Sequence, residues 1–407
     1  MVSVAWWPQR GQVRVDCMVA GPKPRARQWL DRNGSAIYDP PPARGKRNAT
    51  IHGHEIASRS ASGGGSPNTA KNGFRMNASR LELSIALSEN ENTRAILDGR
   101  IAPAGIRFYP TALHPSEMFW RQLRFAEFDV SEMSLSSLAI ATAKGPTPWV
   151  MIPVFTTREF FHLRILVRVA AGIETPADLR GKRVGVPEYQ QTAAIWSRGV
   201  LQHEFGVQAR EIEWFMERTP DLSHGGATAF EPPAGVTVHR IPPTTNIGEM
   251  MVRGELDATL LYLRHDNLVD RSRIDLAADP RFRPLFDRKV EGPRYYRKTG
   301  LYPINHGMVI RRTLHERHPW AALNIYNAFV EARAQVLRAR DTALHRHYEP
   351  GLIGEDVRRA LAVDPMAYGV RANRAVLETV TQYVYEQGLS PRRVALEELF
   401  APATLDV

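Results

Sequence analysis

Three corners of this sequence pass from an apolar run through polar residues into an amphipathic stretch: 88–94 (SENENTR), 131–136 (SEMSLS) and 187–192 (PEYQQT). A strand end that feeds a helix leaves backbone N–H groups unpartnered beside a partial positive charge, which suits a bound carboxylate. Asn90, Ser134, Ser136, Tyr189, Gln190 and Thr192 are the hydrogen-bonding candidates at these corners, although Ser and Thr in such places commonly serve as helix caps. Arg94 and Arg158 have the planar fork that clamps a carboxylate bidentately. His162 and His306 sit beside apolar runs, and an imidazole titrates close enough to neutrality to act as acid or base. Glu132 and Glu188 stand at corners where an acid is either a base or a dipole partner of the following helix, the second being commoner. The catalytic candidates are therefore His306, His162 and Glu188.

These side chains need a frame that brings distant parts of the chain together. Leu81–Leu87 alternates as a strand does, and Ile106–Tyr109 follows as a second strand. Pro115 opens a helix, a strand is expected over Phe128–Val130, and a helix runs from the polar switch to Gly145-Pro146. Arg183–Val186 is a strand that Pro187 stops, and Ala193, Trp196, Val200 and Leu201 form one face of the helix that Gly206 ends. Trp196 belongs to the core by that pattern. Further strands are expected at 211–216, 236–241 and 258–263, and residues 264–300 read as irregular and rich in arginine. Alternating strands and helices imply right-handed βαβ units and mostly parallel sheets. The expected fold class is α/β with two lobes: the first over 80–168, the second over 169–300, and a return to the first over 301–407 with C-terminal helices. This is the pattern of a type II periplasmic-binding-protein fold. Ligands bind at the carboxyl ends of strands in such sheets, so the three corners should converge on the interlobe cleft.

Composition bounds the partners. The 407 residues carry a formal charge of +10, yet twelve basic and four acidic residues precede Arg80, so eight of those charges belong to 1–79. That segment, rich in Pro, Gly, Ser and Arg, is expected to be a disordered basic extension, with the natural start of the folded chain near Met76. With the excess confined there, neither a nucleic-acid nor a membrane partner is expected. No stretch of 18 apolar residues is present, and no signal peptide is recognised, which favours the cytoplasm. The one cysteine, Cys17, lies in the extension, so disulfides, thiol nucleophiles and cysteine metal ligands are absent from 80–407. No HExxH, GxGxxG, P-loop or GxSxG motif occurs, and no metal site is assigned. The terminal helices are compatible with a homo-oligomer.

Several long blocks resemble the 4,5-dihydroxyphthalate decarboxylase family: SENENTRAILDGRI, EMFWRQLRFAEFDVSEMSLSS, IPVFTTREFFH, ADLRGKRVGVPEYQQTAAIWSRGVL, RKTGLYPINHGMVIRR, HPWAALNIYNAF and EQGLSPRRVALEELFAP. The resemblance covers nearly all of 80–407 and none of 1–79. It implies decarboxylation of a hydroxylated aromatic dicarboxylate, 4,5-dihydroxyphthalate giving protocatechuate and carbon dioxide, without a cofactor. The departures fall at 218–235 and 260–292, where Arg264 becomes a candidate for substrate choice. The competing class is a solute-binding protein that delivers a small aromatic acid to an ABC-type transporter. It would use the same cleft and need no acid–base pair.

Overall fold

The computed structural model describes residues 80–407 and, before them, the short strands Ser3–Trp7, Gln12–Asp16, Trp29–Leu30 and Ala36–Ile37, paired two by two. The expected disorder of 1–79 otherwise lies outside the described residues. Residues 75–407 form one compact unit.

In that unit the elements run β1 (Leu81–Leu87), α1 (Arg94–Leu97), β2 (Ile106–Ala112), α2 (Pro115–Phe125), β3 (Val130–Ser134), α3 (Leu135–Lys144) and β4 (Trp149–Arg158). They continue with β5 (Ile165–Arg168), β6 (Arg183–Val186), α4 (Thr192–Phe205), β7 (Glu213–Met216), α5 (His224–Ala227), β8 (Val238–Arg240), α6 (Ile247–Arg253), β9 (Ala258–Leu260) and β10 (Phe282–Pro284). The chain closes with α7 (Arg288–Thr299), β11 (Ile304–Arg311), α8 (Arg312–Arg317), α9 (Trp320–Tyr348), α10 (Glu355–Ala362), α11 (Val370–Glu386) and α12 (Leu396–Leu399). One sheet has the order β2-β1-β3-β11-β4, with β11 antiparallel to both neighbours. The other has the order β8-β7-β6-β9-β5-β10, in which β6, β7, β8 and β9 are parallel. The chain leaves the first sheet after β4 and returns to it with β11, so the second sheet is inserted. This two-lobed α/β architecture is the type II periplasmic-binding-protein arrangement read from the sequence.

Local chemistry accounts for the pieces that position the site. Pro115 occupies the first turn of α2, where its missing N–H costs nothing, and the His114 ring accepts a hydrogen bond from the Ser116 N–H at 3.3 Å as its cap. β3 differs from expectation: it continues through Ser131–Ser134, all five residues buried, and the helix begins only at Leu135. The reason is pairing on both sides, since Val130 and Ser131 bond to β1 while 130–134 lie against β11. Gly206 ends α4 in the left-handed region at φ +67°. The stretch 264–300 also differs, because it contains β10 and α7. Gly292 and Pro293 hide the helical period of α7, and ion pairs from Arg294 to Glu291 and Glu204 hold it. One buried apolar cluster runs from Ile85, Val130 and Met308 through Trp196 and Tyr383 to Val184 and Trp214, joining the two lobes. No helix among the described residues is long and apolar enough to cross a membrane.

Candidate active site

β3 and β11 lie side by side, with His306 opposite Ser134 and Met308 opposite Glu132. Glu132 and His306 are therefore diagonal neighbours on one face, within reach of long side chains. The register of β11 against β4 shifts on either side of His306, a bulge that re-aims its side chain. His306 Nδ1 lies 2.8 Å from Glu132 Oε2, and both residues are almost wholly buried. The Ser88 hydroxyl and N–H also donate to the Glu132 carboxylate, the hydroxyl at 2.9 Å and the N–H at 3.2 Å to Oε1. Asn90 in turn donates to Ser88 Oγ at 3.3 Å. A carboxylate on Nδ1 fixes the tautomer and leaves Nε2 as the basic nitrogen of the neutral ring.

Directly beside this pair, the N-termini of α3 and α4 meet across the lobes. Thr192 Oγ1 is 3.0 Å from both Ser134 Oγ and Ser136 Oγ, and it accepts the Ser136 N–H at 3.1 Å. The Ser136 hydroxyl donates to the Gln190 carbonyl at 2.8 Å. Two helix N-termini lined with hydroxyls thus face one another, and their dipoles favour negative charge there, although the Ser136 and Ser137 N–H groups already donate to Thr192 Oγ1 and Ser134 Oγ.

A second histidine completes the cluster from the other lobe. His224 Nδ1 is 3.4 Å from Ser137 Oγ and 3.7 Å from Glu188 Oε2, while its buried Nε2 has no hydrogen-bond partner among the described residues. The Phe119 ring contacts both imidazoles, its centroid 5.0 Å from His306 and 5.7 Å from His224. Behind His224, Arg218 is fully buried and bonded to Glu188 at 2.9 Å, Asp270 at 2.8 Å and the Ser116 hydroxyl at 2.6 Å. Burial disfavours the Arg218 charge, but the two carboxylates outweigh it and raise its pKa. Burial likewise works against ionised Asp270, yet Arg218 holds that carboxyl below its ordinary range.

Burial drives the His224 imidazole below its usual 6.5, against an opposing pull from Glu188 and with Arg218 acting in the same sense as burial. The unfolded chain then takes up protons sooner than the fold does, so stability rises with pH across this window. The contribution is complete above about 6.5 and is lost as the pH falls through the lowered folded value. We expect His224→Gln to flatten the acid side of the curve. Denaturant midpoints compared at about pH 7.5 and about pH 5.5 check this, and an equal loss in parent and variant would refute it.

The structure does not gather every candidate. His306, Asn90, Ser134, Ser136, Gln190 and Thr192 belong to the cluster or border it. Glu188 borders it too, but its oxygens are taken by Arg218 and by the Gly225 N–H at 2.5 Å, so it buttresses His224 and is not a free base. His162 is elsewhere, in the turn before β5, with Nε2 3.2 Å from Glu291 and packed near Phe286 and Tyr295. Arg158 bonds to the Ala367 carbonyl and Asn373, pinning the C-terminal segment, and burial lowers its pKa to about 10. Tyr189 turns into the lobe 2 core, its ring 3.7 Å from the Arg198 guanidinium carbon. Arg94 and Arg264 are half exposed or more and pair with Glu89 and Asp275. The sequence does not single out Ser88, Phe119, Ser137, His224 or Arg218 for the site, and it leaves Glu132 as either a base or a helix partner, the second being commoner. His224 and Arg218 lie in a Gly/Pro-rich connection with no periodicity, so the only local signal was the i, i+2 spacing of Glu132 and Ser134, which shares a face only once the strand extends through them.

Fold and cluster together define a two-lobed α/β protein that buries an acid–histidine pair beside two facing helix N-termini. The chain is 34% identical over 332 residues to 4,5-dihydroxyphthalate decarboxylase of Comamonas testosteroni, a match covering 81% of this chain and 98% of that protein. It is 38% identical over 181 residues to the protein of the same name from Pseudomonas putida, covering 44% of this chain and 70% of the relative. The chain belongs to the 4,5-dihydroxyphthalate decarboxylase family. Among solved structures, the periplasmic aliphatic sulphonate binding protein SsuA from Escherichia coli is 15% identical, covering 81% of this chain and 100% of that one with a TM-score of 0.47. No family model matches the chain.

Proposed function

We propose that this chain decarboxylates a hydroxylated aromatic dicarboxylate, 4,5-dihydroxyphthalate to protocatechuate and carbon dioxide, and that His306 with Glu132 is its acid–base pair. The observation carrying this reading is the buried 2.8 Å contact between them beside the paired N-termini of α3 and α4. The chemistry follows from the substrate. Deprotonating the hydroxyl para to one carboxylate pushes electron density onto the ring carbon bearing that group. An acid delivers a proton to that carbon, the bond to the carboxylate breaks, and its electron pair returns to the ring as aromaticity is restored. The dienone formed on protonation takes up the electron pair as carbon dioxide leaves, so the ring is its own electron sink and the reaction needs no cofactor. His306 Nε2 supplies or accepts the proton, Glu132 stabilises the imidazolium that forms, and the hydroxyls of Ser134, Ser136 and Thr192 hold the carboxylate that stays. His224 is the second group able to exchange a proton there. With His306 almost fully buried, substrate enters when the lobes part, and closure dries the carboxylate that leaves. The reading places the enzyme in the cytoplasm and in aromatic catabolism.

The test is to incubate the purified protein with 4,5-dihydroxyphthalate and follow carbon dioxide and 3,4-dihydroxybenzoate. Release of both in equal amounts is expected. Tight binding with no turnover would overturn the reading in favour of a solute receptor, which would use the same two-lobed cleft.

A further inference from the structure

The His224 imidazole is a buried acceptor without a donor. The residue is 2% exposed, and its Nε2 has no hydrogen-bond partner among the described residues. The surroundings of the other nitrogen fix the tautomer. Nδ1 lies 3.4 Å from Ser137 Oγ and 3.7 Å from Glu188 Oε2. The Ser137 hydroxyl already donates to Ser134 Oγ at 3.1 Å, and Glu188 is a carboxylate bonded to Arg218 and to the Gly225 N–H. Neither neighbour has a proton to offer, so the single proton of the neutral ring sits on Nδ1 and Nε2 presents a bare lone pair. The Ser116 carbonyl lies close enough to favour a protonated ring, but it forms no hydrogen bond with Nε2. An unpaired buried acceptor is costly, and one that borders a cleft calls for a donor on the ligand.

We propose that His224 determines specificity by accepting a hydrogen bond from the second hydroxyl of the substrate, the one meta to the departing carboxylate. The proposal rests on the decarboxylase reading above. The chemistry of the substrate selects that group. Ionised carboxylates have no proton to donate, and the hydroxyl para to the departing carboxylate loses its proton in the reaction, so the adjacent hydroxyl is the donor that remains. Placement agrees with this. His306 comes from β11 in the first lobe and His224 from α5 in the second, yet one Phe119 ring touches both imidazoles, its centroid 5.0 Å from His306 and 5.7 Å from His224. Hydroxyls on adjacent ring carbons present neighbouring oxygens to two imidazoles that share one aromatic neighbour. Because the acceptor belongs to lobe 2, reading the second hydroxyl is tied to closure of the lobes. No covalent bond forms or breaks at His224, which gives it a part distinct from that of His306.

Parent and variants are assayed with 4,5-dihydroxyphthalate and with 4-hydroxyphthalate, which keeps a hydroxyl para to one carboxylate and lacks its neighbour. The parent is expected to favour the dihydroxy compound on the order of a hundredfold or more in kcat/KM, since a site built to bond a hydroxyl rejects the analogue without it. His224→Leu and His224→Phe are two ways of removing the acceptor, and each is expected to lower that ratio at least about tenfold. His224→Gln keeps a carbonyl acceptor and is expected to retain more of the preference. Urea midpoints report the folding of each variant. A parent that turns over both compounds equally well would overturn the assignment. So would an equal loss on both compounds in the Leu and Phe variants, which would make His224 an acid–base group and not a reader of the second hydroxyl. A parent that turns over neither compound would overturn the decarboxylase reading itself, and this assignment with it.

Discussion

His306→Gln is expected to lower turnover of 4,5-dihydroxyphthalate on the order of 10²–10⁴-fold, the usual worth of a general acid or base, while KM changes little. The asymmetry follows from when the group acts. Proton transfer develops in the transition state, whereas in the proposed reading the hydroxyls at the head of α3 and α4 carry ground-state binding. Glu132→Gln should fall in the same range, because it keeps the shape but cannot stabilise an imidazolium or fix the same tautomer. The double variant should be scarcely worse than either single one, as members of one unit are non-additive. Steady-state kinetics with product detection measure all three. Parent-like turnover in either single variant would remove the pair from the mechanism, and full additivity would show that the two act separately.

Arg218→Met is expected to cost about 3–5 kcal/mol of folding stability, because it leaves Glu188 and Asp270 buried without their cation. The same guanidinium reaches Ser116 on α2, so it also fastens the lobe 2 loop to lobe 1. The pH dependence identifies the cause. In the parent, Arg218 outweighs burial and depresses the Asp270 pKa, so this carboxylate supports the fold above its ordinary value near 3.8 and ceases to as the pH falls through its lowered value. In the variant, burial is opposed only by hydrogen bonds from Ser116 and Asn267, so the pKa rises and the deficit should shrink as the pH is lowered. Urea unfolding at neutral and mildly acidic pH reads both effects. A cost below about 1 kcal/mol would show that water already compensates the network.

The two lobes were legible because strand and helix periods alternate along the chain and Gly206 and Pro115 mark element ends by their own backbone chemistry. α7 was not, since a helix containing Gly292 and Pro293 exists only through the partners that Glu204 and His162 provide from elsewhere. The same division applies to the site. The sequence determined where the polar corners fall, but it ended the strand at Val130, and only pairing with β11 carries that strand through Glu132 and Ser134. It also marked His306 as a candidate and confined the charge excess to residues 1–79. Only the tertiary structure decided which carboxylate each histidine meets: register places His306 against Glu132 on β3, whereas His162 packs on α7 beside Glu291. It likewise decided that Glu188 is consumed by Arg218 and that His224 joins the cluster from the start of α5. Pairing register and cross-lobe contact join residues from thirty to well over a hundred positions apart, and no local pattern encodes distances of that kind.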